Sequence, residues 1–248
     1  MTQTVEDAPR WSWPGFTQGI LLTVPLIPGV MVFAAAFGTL AAQKGLTLVE
    51  ATLMSALVYA GSSQLVAVEA WERPLTLSVV LTLALLTVTV NLRYLLMGAS
   101  LRPWLGPLPA WQSYSALVFI VDANWLIASR YRQQGGSDVS VFLGAGVALW
   151  FVWVGGTIPG YLLGALVSDP RVFGLDFVVP AFFTAMLVPL WRGARLAVAW
   201  VIAAAAAVVA SILIPGWWFV VIGAVAGSMA AAFFGSDADR PAAEADRA

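Results

Sequence analysis

Long intervals without a single charged residue constrain this chain more than anything else in it. Trp11 to Gln43, Ala51 to Val68, Pro74 to Leu92, Pro103 to Val121, Val139 to Ser168 and Leu196 to Ser236 all lack Asp, Glu, Lys and Arg. An α-helix needs about 20 apolar residues to cross a bilayer. Inside hydrocarbon, helices and closed barrels alone satisfy every backbone polar group. Apolar residues make up 60% of the chain and charged residues 10%, against roughly 25% charged in soluble domains. The sequence therefore predicts an all-α membrane protein, with the lipid bilayer as its principal surroundings.

Dividing the intervals by length gives about eight transmembrane helices, with seven as the alternative. Span 1 covers roughly Thr17 to Ala42, span 2 Ala51 to Val68, and span 3 Pro74 to about Leu101. Span 4 covers Pro103 to Ala128 and span 5 Val139 to Ser168. Span 6, Phe177 to Trp191, has only 15 residues. The 41 residues from Leu196 to Ser236 are too long for one helix, and the turn-forming cluster Pro215-Gly216-Trp217-Trp218 divides them into spans 7 and 8. Residues 1–14 read as a cytoplasmic segment, 15–235 as one polytopic transmembrane domain, and 236–248 as a polar, disordered tail. The acidic start, with Glu6 and Asp7, does not resemble the basic opening of a signal peptide, so span 1 is expected to be retained. With the N-terminus inside, eight arginines fall in inner segments (10, 73, 130, 132, 192, 195, 240 and 247). Lys44, Arg102 and Arg171 fall outside. The asymmetry places both termini in the cytoplasm.

Several chemistries are set aside by composition. Net charge is −1, which gives no reason to expect a nucleic-acid partner. Cysteine and histidine are both missing, which removes thiolate metal sites, thiol catalysis and the usual proton shuttle. The one lysine, Lys44, follows no glycine-rich phosphate loop. No cofactor, metal or enzymatic activity is expected, and energy is expected to come from an ion gradient.

Polar groups inside the apolar intervals are costly in lipid, so they point to a site that handles a polar solute. Asn91-Leu92-Arg93-Tyr94 follows 19 charge-free residues; a snorkelling Arg near a helix end is the alternative for Arg93. Span 2 holds a break, Gly61-Ser62-Ser63-Gln64, immediately after Tyr59, which gathers donors and acceptors near mid-span. The serines read equally well as a small-residue packing seam, whereas the Gln64 amide needs several partners. Asp122 also follows 19 charge-free residues. If buried it needs a proton or a cationic partner; it can also lie near the end of span 4. It is the candidate for proton coupling or for the counter-charge of an ammonium.

Two further segments share a pattern. Ile27-Pro28-Gly29 in span 1 and Ile158-Pro159-Gly160 in span 5 are each followed, after an apolar stretch, by Gly-Leu. Matched breaks in two related halves point to discontinuous helices around a transporter site, and Pro28, Gly29, Pro159 and Gly160 join the candidate substrate-binding residues. Four spans separate the segments, which implies parallel repeats; an odd separation would imply inverted ones. Two ordinary proline kinks are the alternative, and Gly156, Gly160 and Gly164 form a small-xxx-small ladder that reads better as helix packing. Trp150/Trp153 and Trp217/Trp218 read as interface or packing residues.

Tyr59-Ala-Gly-Ser-Ser-Gln64, Asn91-Leu-Arg-Tyr-Leu-Leu-Met-Gly-Ala-Ser-Leu101 and Gly174-Leu-Asp-Phe-Val-Val-Pro-Ala-Phe-Phe183, in that order and spacing, resemble the AzlC-type branched-chain amino acid permeases. These are the large subunits of two-component exporters, and the resemblance covers roughly residues 16–234. It implies export of leucine, isoleucine, valine and sometimes methionine, and a small AzlD-type membrane subunit of about four spans. One departure stands at Asp122-Ala123-Asn124, where many members carry an acid followed by Glu. A permease for another small organic solute is the nearest alternative; a non-transporting scaffold is the other. A simple apolar pocket gains only ~1–3 kcal/mol per methylene, so valine, leucine and isoleucine are expected to compete.

Overall fold

Every regular element among the described residues is helical. A computed structural model describes residues 11–166, Thr184 and 194–235. The helices are α1 (Trp13–Thr23), α2 (Ile27–Gln43), α3 (Leu48–Val58), α4 (Gly61–Glu69), α5 (Leu77–Leu105), α6 (Ala110–Leu117), α7 (Asp122–Gln133), α8 (Ser140–Leu166), α9 (Ala194–Leu213) and α10 (Trp218–Gly235). Among the described residues, three stretches are long and apolar enough to cross a membrane: Trp13–Gln43, Leu77–Leu105 and Ser140–Leu166. Apart from Thr184, the 15-residue span 6 lies outside the described residues, as do the Gly174–Phe183 motif, the N-terminal ten residues and the tail from 236.

The chain divides into two compact units. In the larger, α1 and α2 are joined by a single 3-10 turn, Val24–Leu26, and lie along α8. Phe16 meets Gly144, Ala35 meets Gly160 and Thr39 meets Gly164. The partner numbers rise together, so the two stretches run in the same direction. Gly160 is required there, because a Cβ would fall onto the Ala35 backbone. Thr39 Oγ1 donates to Gly160 O at 2.9 Å across the same seam.

The second charge-free interval does not run as one helix. Thr47 caps α3, and its hydroxyl and the Glu50 carboxylate exchange hydrogen bonds with each other's backbone N–H in a capping box. The α3 helix then descends antiparallel to α8. Tyr161 Oη reaches Leu46 O, Ser55 meets Thr157, Trp150 Nε1 reaches Ala56 O, and Tyr59 Oη reaches Gly146 O. Tyr59 takes left-handed φ 45° and ψ 45°, which turns the chain back on itself. From Gly61, beside Phe33 and Trp153, α4 climbs to Glu69, where Lys44 at the end of α2 donates to Glu69 O (2.6 Å) and Oε1 (3.2 Å). The two arms, 11 and 9 residues long, form a V that opens at one end of the bundle. Each arm is about 14–17 Å long at 1.5 Å per residue, half the ~30 Å hydrocarbon thickness.

Span 4 breaks in the same way and opens at the other end. Ser113 Oγ donates to Leu105 O near the start of α6, and the chain turns at Val118–Val121. The α7 helix then descends beside α5: Trp125 Nε1 reaches Ser100 Oγ, and Tyr131 packs against Trp104. An apolar cluster that includes Leu101, Trp104, Ala116, Ala128, Val139 and Phe142 closes this end. The two V-shaped pairs thus follow α2 and α5 with opposite sense.

The Ile-Pro-Gly segments correct an expectation. Ile27-Pro28-Gly29 forms the first turn of α2, where proline's missing N–H has no helical partner to lose. Pro159 lies inside an uninterrupted α8. Neither segment is unwound, although the two helices that carry them do run parallel. Arg102 sits at the end of the larger unit that holds Arg130 and Arg132, whereas the span count had put it at the opposite end.

The second unit contains α9 and α10 and residues 72–89. Helices α9 and α10 separate where the Pro-Gly-Trp-Trp cluster predicts, with Gly216 at φ +95°. They pack through Gly223 and Gly227 against Ala203 and Ala207.

Candidate functional site

The tips of the two V-shaped pairs meet. Tyr59 at the first tip and Phe119 at the second stand edge to face, centroids 6.4 Å apart, and Phe119 in turn contacts Trp150 at 6.5 Å. Beside this aromatic contact, Arg93 on α5 joins the tips electrostatically. Its Nη2 donates to Ser62 Oγ, the second residue of α4, and pairs with Asp122 Oδ2, the first residue of α7, at 3.0 Å. The side chains are 31% and 38% exposed respectively, so the pair is reachable yet flanked by apolar sequence. A carboxylate at the first position of a helix is favoured by the positive end of its dipole.

Each tip is held by an amide that folds back on its own helix start. Asn124, fully buried, accepts from Val121 N at 2.8 Å and donates to Phe119 O at 2.9 Å. Gln64, also fully buried, accepts from Ala60 N at 3.2 Å and from Trp153 Nε1 at 3.1 Å. Ser63 Oγ donates to Ala60 O at 2.9 Å. Gly61 permits the approach, because a Cβ there would lie 2.8 Å from Trp153.

Two polar atoms at the centre are enclosed without a hydrogen bond, Gln64 Nε2 and Arg93 Nε; Asn91 Oδ1, elsewhere on α5, is enclosed without one too. Burying an unpaired donor or acceptor costs about 1–3 kcal/mol. Such atoms mark places where a ligand would add contacts.

The structure thus brings Gly61, Ser62, Ser63, Gln64, Arg93 and Asp122 to one place. Asn91, two positions before Arg93, sits on a different flank of α5. Pro28 and Gly29 are exposed, with nothing within 4 Å of a Cβ built on Gly29. Pro159 is exposed, and Gly160 is filled by the α2 seam. None of these four contributes a contact to the Arg93 centre. Sequence reading named Tyr59 only as the residue before Gly61-Ser62-Ser63-Gln64, did not single out Phe119, and assigned Trp150 and Trp153 to packing. An indole N–H placed on Gln64 has no one-dimensional signal.

Long apolar helices around a partly exposed ion pair, with one enclosed amide N–H group left unpartnered beside it, define a membrane protein with a polar site among its helices. The chain belongs to the AzlC protein family, whose model matches residues 25–167; that interval contains the whole site. Two relatives are each 28% identical to it. One is an uncharacterized membrane protein of Archaeoglobus fulgidus, aligned over 74% of this chain and 80% of its own. The other is the inner membrane protein YgaZ of Escherichia coli, aligned over 70% and 72%. No solved structure matches.

Proposed function

We propose that this protein is the large subunit of a secondary exporter of branched-chain amino acids, acting on valine, leucine, isoleucine and methionine in the bacterial inner membrane. Its partner in this reading is a small AzlD-type subunit of about four spans. The observation that carries the proposal is the Arg93–Asp122 pair between the tips of two V-shaped helix pairs. An amino acid zwitterion carries one negative and one positive group a few ångströms apart. Arg93 offers a forked donor to a carboxylate, and Asp122 offers an acceptor to an ammonium. Inserting the zwitterion exchanges one ion pair for two. Surrounding aromatic and aliphatic residues suit a hydrophobic side chain.

In a membrane the two V-shaped pairs become re-entrant, each reaching about halfway in from its own side. The end that carries Trp13, Arg102, Arg130 and Arg132 then faces the cytoplasm by the positive-inside rule, and the Lys44–Glu69 end faces out. Protonation of Asp122 from outside would remove the counter-charge of the ammonium and release it, which couples export to proton entry.

Efflux from cells preloaded with labelled leucine, with and without the co-expressed small subunit, tests this reading. Export that requires both chains is expected, with valine and isoleucine competing within about tenfold. No accelerated efflux of any branched-chain amino acid would overturn the proposal. A thousandfold preference for one of the three would overturn the simple pocket.

A further inference from the structure

Gln64 is wholly enclosed, and its orientation is fixed. Ala60 N and Trp153 Nε1 both donate to its Oε1, at 3.2 and 3.1 Å. A flipped amide would set its NH2 against two N–H donors, so the amino group must face the other way. There Nε2 meets no acceptor. Arg93 repeats the pattern: Nη2 serves Ser62 and Asp122, while Nε is enclosed without a hydrogen bond.

Both side chains are tied to the first turn of α4. Ser62 ties the guanidinium to the second residue of α4, and the Gln64 side chain folds back over the same first turn to Ala60. The N–H groups of Gly61, Ser62 and Ser63 begin that helix and have no partner within it. The first tip is therefore rich in donors and positive in potential, while the second tip presents the Asp122 carboxylate.

We infer that a ligand carboxylate docks at the α4 tip on Gln64 Nε2 and Arg93 Nε, with the ammonium turned toward Asp122. The site thus requires a free carboxylate and excludes amides and esters of the same side chain. Gln64 is the specificity-determining residue for that group. This inference rests on the proposal that the Arg93 centre is the transport site.

Binding of four matched probes to the full-length protein in detergent tests it: leucine, leucinamide, 4-methylpentanoate and isopentylamine. With the wild-type chain, leucine should bind at least about tenfold more tightly than leucinamide, the effect of a lost charge-assisted hydrogen bond. 4-Methylpentanoate should retain binding and isopentylamine should lose it. Gln64→Glu keeps an oxygen for Ala60 N and Trp153 Nε1 but replaces the free donor with a negative charge. It should weaken leucine about tenfold to a hundredfold and leave leucinamide unchanged. Should that variant fail to fold, Gln64→Met removes the donor without adding charge and should narrow the leucine-to-leucinamide ratio. Equal binding of leucine and leucinamide by the wild type would overturn the inference and leave the exporter reading standing. Binding of 4-methylpentanoate without any amino acid would leave the carboxylate site and overturn the exporter reading. An unchanged ratio in Gln64→Glu would remove Gln64 from the site, and no binding of any probe would overturn both.

Discussion

Tyr59 carries the reversal of the first V in its own backbone. A non-glycine residue at positive φ costs on the order of 1 kcal/mol or more, and here the phenol compensates by donating to Gly146 O at 3.1 Å. Tyr59→Phe should lower stability by about 1 kcal/mol in thermal unfolding, because the ring contact with Phe119 survives and only the hydrogen bond is lost. Arg93→Lys addresses a different property. A lysine keeps the charge but not the fork that reaches Ser62 and Asp122 together, so transport should fall about tenfold while the protein still inserts. Both Arg93 and Asp122 stood out in the sequence, because a charge after 19 apolar residues is conspicuous. Their pairing did not, since nothing in a linear chain says that the tip of span 4 returns to the middle of α5.

At the scale of elements, α1–α2 and α8 pack backbone to backbone along a glycine seam. Gly160→Val places side-chain atoms on the Ala35 backbone and should destabilise the chain by about 1–3 kcal/mol or more, read as loss of folded protein after detergent extraction. The sequence relates these two stretches wrongly through unwound Ile-Pro-Gly segments, and rightly reads Gly156, Gly160 and Gly164 as a packing ladder. Pro28 falls in a first turn and Pro159 is carried by an otherwise complete helix, so close packing rather than unwinding relates them. The break after Tyr59 is legible in Gly61-Ser62-Ser63-Gln64, whereas the one at Val118–Val121 carries no comparable signal; both lie in intervals that hydropathy reads as crossings. Hydropathy measures how long an apolar stretch is, not which way it points. A reversal set by one left-handed tyrosine leaves that length unchanged.

Across the larger unit, the direction of each V fixes which ends share a compartment. The chain contains no cysteine, so single replacements report without background. Lys44→Cys and Glu69→Cys should both react with a membrane-impermeant maleimide applied outside intact cells. Arg102→Cys and Arg130→Cys should react only after the membrane is opened. Labelling of Glu69→Cys from the Arg130 side would show that the Ala51–Val68 interval crosses fully and would remove the re-entrant reading. The most direct test of the carrier itself is exchange of labelled valine across proteoliposomes holding the full-length chain with its small subunit, comparing the wild type with Arg93→Ala and Asp122→Asn. Rapid exchange by the wild type, reduced at least a hundredfold in both variants at equal incorporation, is the predicted result. Wild-type exchange rates in both variants would contradict it.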